Sequence, residues 1–302
     1  MKTKLGMLAV LAAISAPAAA DTIDLGVASN YNVFIFDGYQ SSNGWNDIGG
    51  ALAVGGNANL THSKVLSSNV DGYAVVVGGN LTKEWGAING VTWVGGTVNA
   101  PQWDSYNNYS SGAAPIDFAA AKSSLSALSS SLYGTTATGS VEYKYGTGGY
   151  LTGTNSAIEY FTLSSSDLGS INNWNFSSIA SGATLILNIS GDYAALTGGW
   201  NTFGDYNVLL NFYDATTVNL GGINLSASIL ATNATITGGS GIVNGTVVAN
   251  NWNNALTLGA NNGFVAITTA VPEPHHYALL LAGLTVILVT AKRRRKMLTA
   301  KV

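Results

Sequence analysis

Between residues 21 and 270 apolar residues come in short, β-branched runs separated by Gly, Asn, Ser and Thr, a pattern that predicts strands joined by tight turns. One unit recurs: Leu52-Ala53-Val54-Gly55-Gly56-Asn57, Val75-Val76-Val77-Gly78-Gly79-Asn80 and Trp93-Val94-Gly95-Gly96-Thr97. Its glycine pairs begin at 55, 78 and 95, intervals of 23 and 17 residues. Such intervals suit successive coils of a β-solenoid, each strand lying above its predecessor and each coil turning at a glycine. Their inequality excludes a strict repeat. Further strands are expected over 184–189, 208–212, 229–231, 234–237 and 245–249, the last three rich in small residues and asparagines that can stack as ladders along a coil edge. An antiparallel sandwich would account for the strand lengths equally well. The fixed place of the glycine pair after each apolar triplet favours a mainly β body built as a right-handed parallel β-helix.

One stretch has a different period. After Pro115-Ile116-Asp117, the residues Phe118, Ala121, Leu125, Leu128 and Leu132 follow in steps of three and four, with Gly134 beyond them. This predicts a single amphipathic helix of about five turns, opened by proline and aspartate and closed by glycine, with its apolar stripe along the side of the β body.

The two ends differ from the body. Residues 1–20 carry Lys2 and Lys4, an apolar run and a small-residue ending, which together read as a secretory signal peptide cut by signal peptidase between Ala20 and Asp21. Near the other end the uncharged run 277–291 precedes Lys292, Arg293, Arg294, Arg295 and Lys296. Fifteen residues reach about 22 Å as a helix, short of a ~30 Å hydrocarbon core, so a single transmembrane helix there needs flanking residues or a thinned bilayer. The basic cluster would stay cytoplasmic and the body outside. Ahead of the run, Pro272-Glu273-Pro274 is stiff, extended backbone that cannot join a helix or a sheet ladder. In this order, 271–296 resembles the PEP-CTERM sorting signal of Gram-negative bacteria, although His275-His276 stand where small residues are more usual. The resemblance implies processing by an exosortase, a membrane transpeptidase of species that make extracellular polysaccharide. The expected organisation is therefore a leader over 1–20, a body over 21–270 and a sorting segment over 271–302.

Charge narrows the list of partners. The 302 residues carry 12 basic and 15 acidic side chains, but eight of the basic ones lie in the terminal tails. Between Asp21 and Glu273 only Lys64, Lys83, Lys122 and Lys144 face all 15 acids, so that region carries 4 − 15 = −11 and no arginine. Such a body repels phosphate backbones, and no nucleic-acid partner is expected.

Catalytic chemistry finds little to work with. The body has no cysteine and one histidine, His62, within Thr61-His62-Ser63-Lys64, where a solvated loop position is expected. No G-x-S-x-G elbow occurs. A glycosidase would need two facing carboxylates. Asp37, Asp47, Asp71, Asp192, Asp205 and Asp214 are the candidates, yet none pairs locally with another, and turn positions are expected for them. The calcium pattern G-G-x-G-x-D is missing from 55–59, and no metal, cofactor or catalytic residue is predicted. Trp85, Trp93, Trp103, Tyr106, Tyr109, Trp174, Trp200, Tyr206 and Trp252 stand near Asn, Gly or Asp, where rings either meet sugars and partners or cover the solenoid ends.

Several segments together resemble the choice-of-anchor A domain, an adhesive domain of bacterial surface proteins. They are Tyr31-Asn32-Val33-Phe34-Ile35-Phe36, Ala53-Val54-Gly55-Gly56-Asn57-Ala58-Asn59, the helix from Ile116 to Leu132, Asn211-Phe212-Tyr213-Asp214-Ala215-Thr216 and Ile229-Leu230-Ala231-Thr232-Asn233-Ala234. Thr232 stands where that family usually has proline. The resemblance implies a non-enzymatic, surface-associated β-helical module at the cell surface or in an extracellular polysaccharide matrix. A polysaccharide-modifying enzyme and an ice- or surface-binding protein are the alternatives, separable by whether acids converge in a groove or a flat threonine-lined face appears.

Overall fold

Every strand pairing in the 19-stranded sheet of the body is parallel. Parallel neighbours need a long connection between them, and here the other faces of each coil supply it. In one coil Val33–Ile35, Tyr39–Ser41 and Asn46–Ile48 form faces we term A, B and C, and Leu52–Val54 returns to face A above Val33–Ile35. The register places Leu52 over Val33, Val75 over Leu52 and Thr92 over Val75, so coil length varies as the glycine intervals imply.

The computed structural model describes residues 22–41, 45–101, 108–268 and 283–284. Ala20, Asp21, Pro272 to Pro274 and Lys292 to Lys296 lie outside the described residues, and of the run 277–291 only Gly283 and Leu284, both helical, lie within them. Among the described residues no helix is long and apolar enough to cross a membrane. The chain divides into two units. One spans 24–265 and holds the solenoid. In the other, Thr22–Ile23 pairs antiparallel with Ile267–Thr268.

Chain order and stacking order differ at one joint. Up face A the strands begin at Ile158, Thr184, Asn207, Ser228, Val247, Val33, Leu52, Tyr73, Val91 and Asn108. The later half of the chain thus forms the lower coils, and its last coil pairs with the first coil of the earlier half. The expectation that each coil lies on its chain predecessor fails here. Buried Asn32 staples the joint: its Nδ2 donates to the Gly245 and Gly259 carbonyls at 2.7 and 2.9 Å, and its Oδ1 accepts from Gly50 N at 3.2 Å. Inside, the Tyr39 and Trp252 rings stack at 5.8 Å and 2° across the same boundary.

This order obliges the chain to return from the top coil to the bottom one, and the helix Phe118–Gly134 does so along face A. The Phe118 ring lies 5.3 Å from that of Phe34. Further down, Lys122 Nζ donates to Asn250 Oδ1 at 2.7 Å, Ser129 Oγ to Asn211 Oδ1 at 2.6 Å, and Asn188 Nδ2 to the Leu132 carbonyl at 2.8 Å. Fourteen helical residues rise about 21 Å, and the four coil steps from Phe34 down to Asn188 span about 19 Å, so helix and stack keep pace. Asp117 caps the helix by accepting from Ala120 N at 2.9 Å. Two details depart from the sequence pattern: Ser129 is buried where Leu128 is only partly so, and Gly134 is the last helical residue. Because the helix covers face A, the outward residues Phe34, Ala53, Val76, Leu209 and Leu230 are as buried as the inward ones. Strands buried on both sides read as unbroken apolar runs.

The repeated glycine pairs have a steric cause. A Cβ on Gly78 would stand 2.2 Å from the Gly55 carbonyl, and one on Gly79 2.5 Å from Asn57 Oδ1. On the next coil a Cβ on Gly95 would meet Gly78 O at 2.5 Å and one on Gly96 would meet Asn80 Oδ1 at 2.4 Å. The asparagines after the first two pairs occupy the space over the second glycine of the next pair: Asn57 Oδ1 accepts from Asn80 N at 2.8 Å, and Asn80 Oδ1 from Thr97 N at 2.9 Å.

At the bottom coil the inward column of Val208 and Leu185 ends on buried Glu159. Burial by itself raises its pKa, but Thr138 Oγ1 (2.5 Å), Thr154 N (2.6 Å), Ser156 N (2.9 Å) and Thr154 Oγ1 (3.0 Å) donate to the carboxylate and hold it below its ordinary value of 4.5. Beside it, Ser140–Lys144, Gly148–Thr152 and Asn173–Ser177 form a separate three-stranded sheet.

Gly78→Ala is expected to cost about 3 kcal/mol or more in chemical denaturation, whereas Gly239→Ala, whose Cβ would meet nothing within 4 Å, should stay within about 0.5 kcal/mol. A folded-state pKa below the unfolded one makes the Glu159 contribution full above the unfolded value and lost as pH falls through the folded one. Denaturation midpoints of the wild type should therefore decline more steeply below about pH 4 than those of Glu159→Gln. Parallel curves would show that the carboxylate is not held this way.

Candidate functional site

With face A under the helix, face B is the longest open side of the stack. Its inward column runs Ala194, Val218, Ile236, Trp252, Tyr39, Ala58 and Leu81, all buried. Alternation turns the flanking residues outward in two ranks. The first carries Tyr193, Thr217, Thr235, Asn251, Gly38, Asn57, Asn80 and Thr97, and the second Ala195, Asn219, Thr237, Asn253, Gln40, Asn59, Thr82 and Asn99. Neither rank holds a charged side chain, in a chain with 15 acidic residues.

A groove of about 620 Å³ opens where the two halves meet. Gly38 leaves a gap in the first rank between Asn251 and Asn57, and Tyr39 and Trp252 line the depression together with Gln40, Asn59, Asn80 and Thr82. Burial raises the Tyr39 phenol well above its ordinary pKa, against the opposing effect of its hydrogen bond with Asn46, so the ring stays neutral. The asparagines are oriented by the stack itself. Asn251 Oδ1 accepts from Gly38 N at 2.9 Å, and Asn59 Oδ1 from Thr61 N at 3.0 Å, like Asn57 and Asn80 above. With each carbonyl oxygen committed to backbone, the Nδ2 groups of these four residues remain, and among the described residues none donates to a protein acceptor. The groove thus offers amide donors and hydroxyls to an uncharged, oxygen-rich ligand.

The family described as "Putative Ice-binding-like adhesive domain" matches residues 24–261. The chain belongs to this family. Its matched segment covers both series of coils, the helix and every residue of the two ranks. A solved structure, the ice-binding protein of the Antarctic ascomycete Antarctomyces psychrotrophicus, is similar at 14% identity and a TM-score of 0.28, over 79% of this chain and 98% of that one. No curated protein matches the sequence.

Within the adhesive domain five of the six aspartates named from sequence lie apart from the groove, and Asp37 stands at its rim between Gly38 and Gly56. Asp214 Oδ1 accepts from Gly191 N at 2.9 Å and Asp192 Oδ1 from Thr216 Oγ1 at 2.6 Å, both tying one coil to the next. Asp47 faces Lys64 at 3.8 Å on face C, and Asp37, Asp71 and Asp205 are exposed. No carboxylate lines the groove, and among the described residues no three His, Cys, Asp or Glu side chains gather as a metal site.

The aromatics divide differently from the sequence expectation. Trp93, Trp174, Trp200 and Trp252 are buried; Trp200 Nε1 donates to the Ile171 carbonyl and Trp252 Nε1 to that of Asn254, both at 3.1 Å. Trp174, Trp200, Phe203, Phe176 and Tyr206 pack together in the lower coils. Trp103 and Tyr106 lie outside the described residues. His62 lies in a turn, half-buried, with its ring 5.1 Å from that of Trp45 and 6.5 Å from that of Trp85. Trp45 is an exposed ring that the flanking-residue criterion passed over, though it stands 17 positions before His62, one of the coil intervals already legible in the glycines.

Proposed function

We propose that this is an exported, non-enzymatic adhesive protein of a bacterial surface or biofilm matrix, and that its face B groove holds neutral extracellular polysaccharide. One observation carries the proposal: two ranks of outward amides and hydroxyls without a charge among them. Hydroxyl and ether oxygens can satisfy such donors without ion pairing. The choice-of-anchor A resemblance, with its many alternative tethers, supports the same reading.

Delivery belongs to the tails. The leader ending at Ala20 would be removed by signal peptidase, the run 277–291 would hold the chain in the membrane with Lys292 to Lys296 inside the cell, and an exosortase would act at Pro272-Glu273-Pro274 to release or re-anchor it. Water ordering is a second reading, favoured by the regular spacing of the two ranks, about 4.8 Å between coils and about 6.7 Å along a strand.

Charging the groove tests adhesion. Gln40→Glu together with Thr82→Glu should weaken retention on the host's extracellular polysaccharide at least about tenfold, because an unpaired carboxylate must then be desolvated. Unchanged retention would remove the groove from adhesion, and slowed ice recrystallisation that the same pair abolishes would favour the second reading. For sorting, Glu273→Ala should leave a heavier, membrane-retained band. Identical wild-type and variant band patterns would take the motif out of the pathway.

A further inference from the structure

We propose that face C of the upper coils bears a saccharide-binding strip, made by Trp45, His62 and Trp85 with Asp47 and Lys64 alongside. The pairing of Asn46 with Ser63 sets Trp45 and His62 side by side on adjoining coils, and the bridge from Val65 to Ile88 sets Trp85 on the coil above. The three rings thus form one column along the solenoid axis. Trp45 is 60% and Trp85 49% exposed, whereas Trp93, Trp174, Trp200 and Trp252 are 5% exposed or less. His62 reaches the column from a backbone φ of +62°, a conformation that glycine adopts at lower cost; the imidazole fills the space between the two indoles.

Two residues beyond the first two rings, Asp47 and Lys64 turn outward at adjacent positions with their charges 3.8 Å apart and both side chains nearly half exposed. An exposed pair of this kind adds little to stability. It does present an acceptor and a donor side by side, the arrangement that neighbouring sugar hydroxyls satisfy, next to rings that take the C–H face of a pyranose. Trp45 and Trp85 lie two coil steps apart, about 10 Å, and the His62 plane is 72° from that of Trp45 but 18° from that of Trp85, so each indole addresses its own sugar, with Lys64 Nζ 5.9 Å from the Trp45 ring as a donor beside it. β-Linked pyranoses with equatorial hydroxyls, which present axial C–H bonds on both faces, suit such rings. The surround of Thr61, Asp47, Lys64 and Glu84 is polar, unlike the dry centre of a protein interface. The ligand class rests on the polysaccharide reading above, but the residues are distinct from those of the groove.

The test titrates cellohexaose and chitohexaose into the full-length protein, followed by tryptophan fluorescence and calorimetry. At least one should bind. Trp45→Ala and Trp85→Ala, both on the exposed side of the coil and expected to keep a cooperative denaturation transition, should each weaken binding tenfold or more, while Trp45→Tyr retains most of it and Tyr145→Ala, which removes an exposed ring away from face C, has no effect. The proposal is overturned if neither oligosaccharide binds the wild type, if the alanine variants bind as the wild type does, or if Trp45→Ala abolishes self-association seen in sedimentation. Loss of oligosaccharide binding in the groove variant alone would move the sugar site to face B, overturning the strip and sparing the polysaccharide reading. Trp45-dependent binding in a protein that fails to adhere to the host polysaccharide would sustain the strip and defeat that reading.

Discussion

The parallel pairing of Val33–Ile35 with Val247–Ala249 is the contact on which the rest of the body depends. It joins two series of coils that the chain builds in the opposite order from the one in which they stack. Asn32 reinforces it through hydrogen bonds to carbonyls 213 and 227 positions away, and the Tyr39–Trp252 stack fills the core behind it. A solenoid is ordinarily a chain of nearest-neighbour interfaces, in which coils can form one after another. Here one interface must wait for both ends of the domain, which makes its contacts long-range and its formation slow relative to a sequential stack.

The same joint explains the helix and the groove. A chain whose second half starts beneath its first has to travel down the outside of the stack, and the helix makes that journey at the rise per residue that lets Phe118, Lys122, Ser129 and Leu132 meet successive coils. Covering face A leaves faces B and C open. The groove lies where Asn251 and Trp252 from one end of the domain meet Gly38 and Gln40 from the other. A site assembled this way exists only in the joined domain.

Faces B and C divide the chemistry between them. Face B places amides whose oxygens are used up in the coil ladder and whose nitrogens remain, a surface without charge or projecting indole. Face C places rings and one opposed charge pair. Both use the fixed vertical spacing of the coils, which turns a residue type repeated at coil length into a row. Asn57, Asn80 and Thr97 form such a row at intervals of 23 and 17 residues, and Trp45, His62 and Trp85 form another at 17 and 23.

Local rules were enough for the elements. The apolar triplets, the glycine pairs and the three-four spacing after Asp117 announced parallel coils and one lateral helix, because strand burial, the approach of a carbonyl to a glycine and helix amphipathicity each involve residues near in sequence or one coil apart. The net charge of the body likewise argues against nucleic acid without reference to the fold. The burial of Trp174, Trp200 and Trp252 was not legible, since Asn and Gly flank buried and exposed rings alike and only the inward or outward phase of each strand decides. Nor were the stacking order and the groove, because no local pattern distinguishes a strand that pairs with the next coil from one that pairs with a coil more than two hundred residues away. That choice was made by the tertiary structure, where the exposed edge of the last coil and that of the first could each satisfy their backbone groups only in the other.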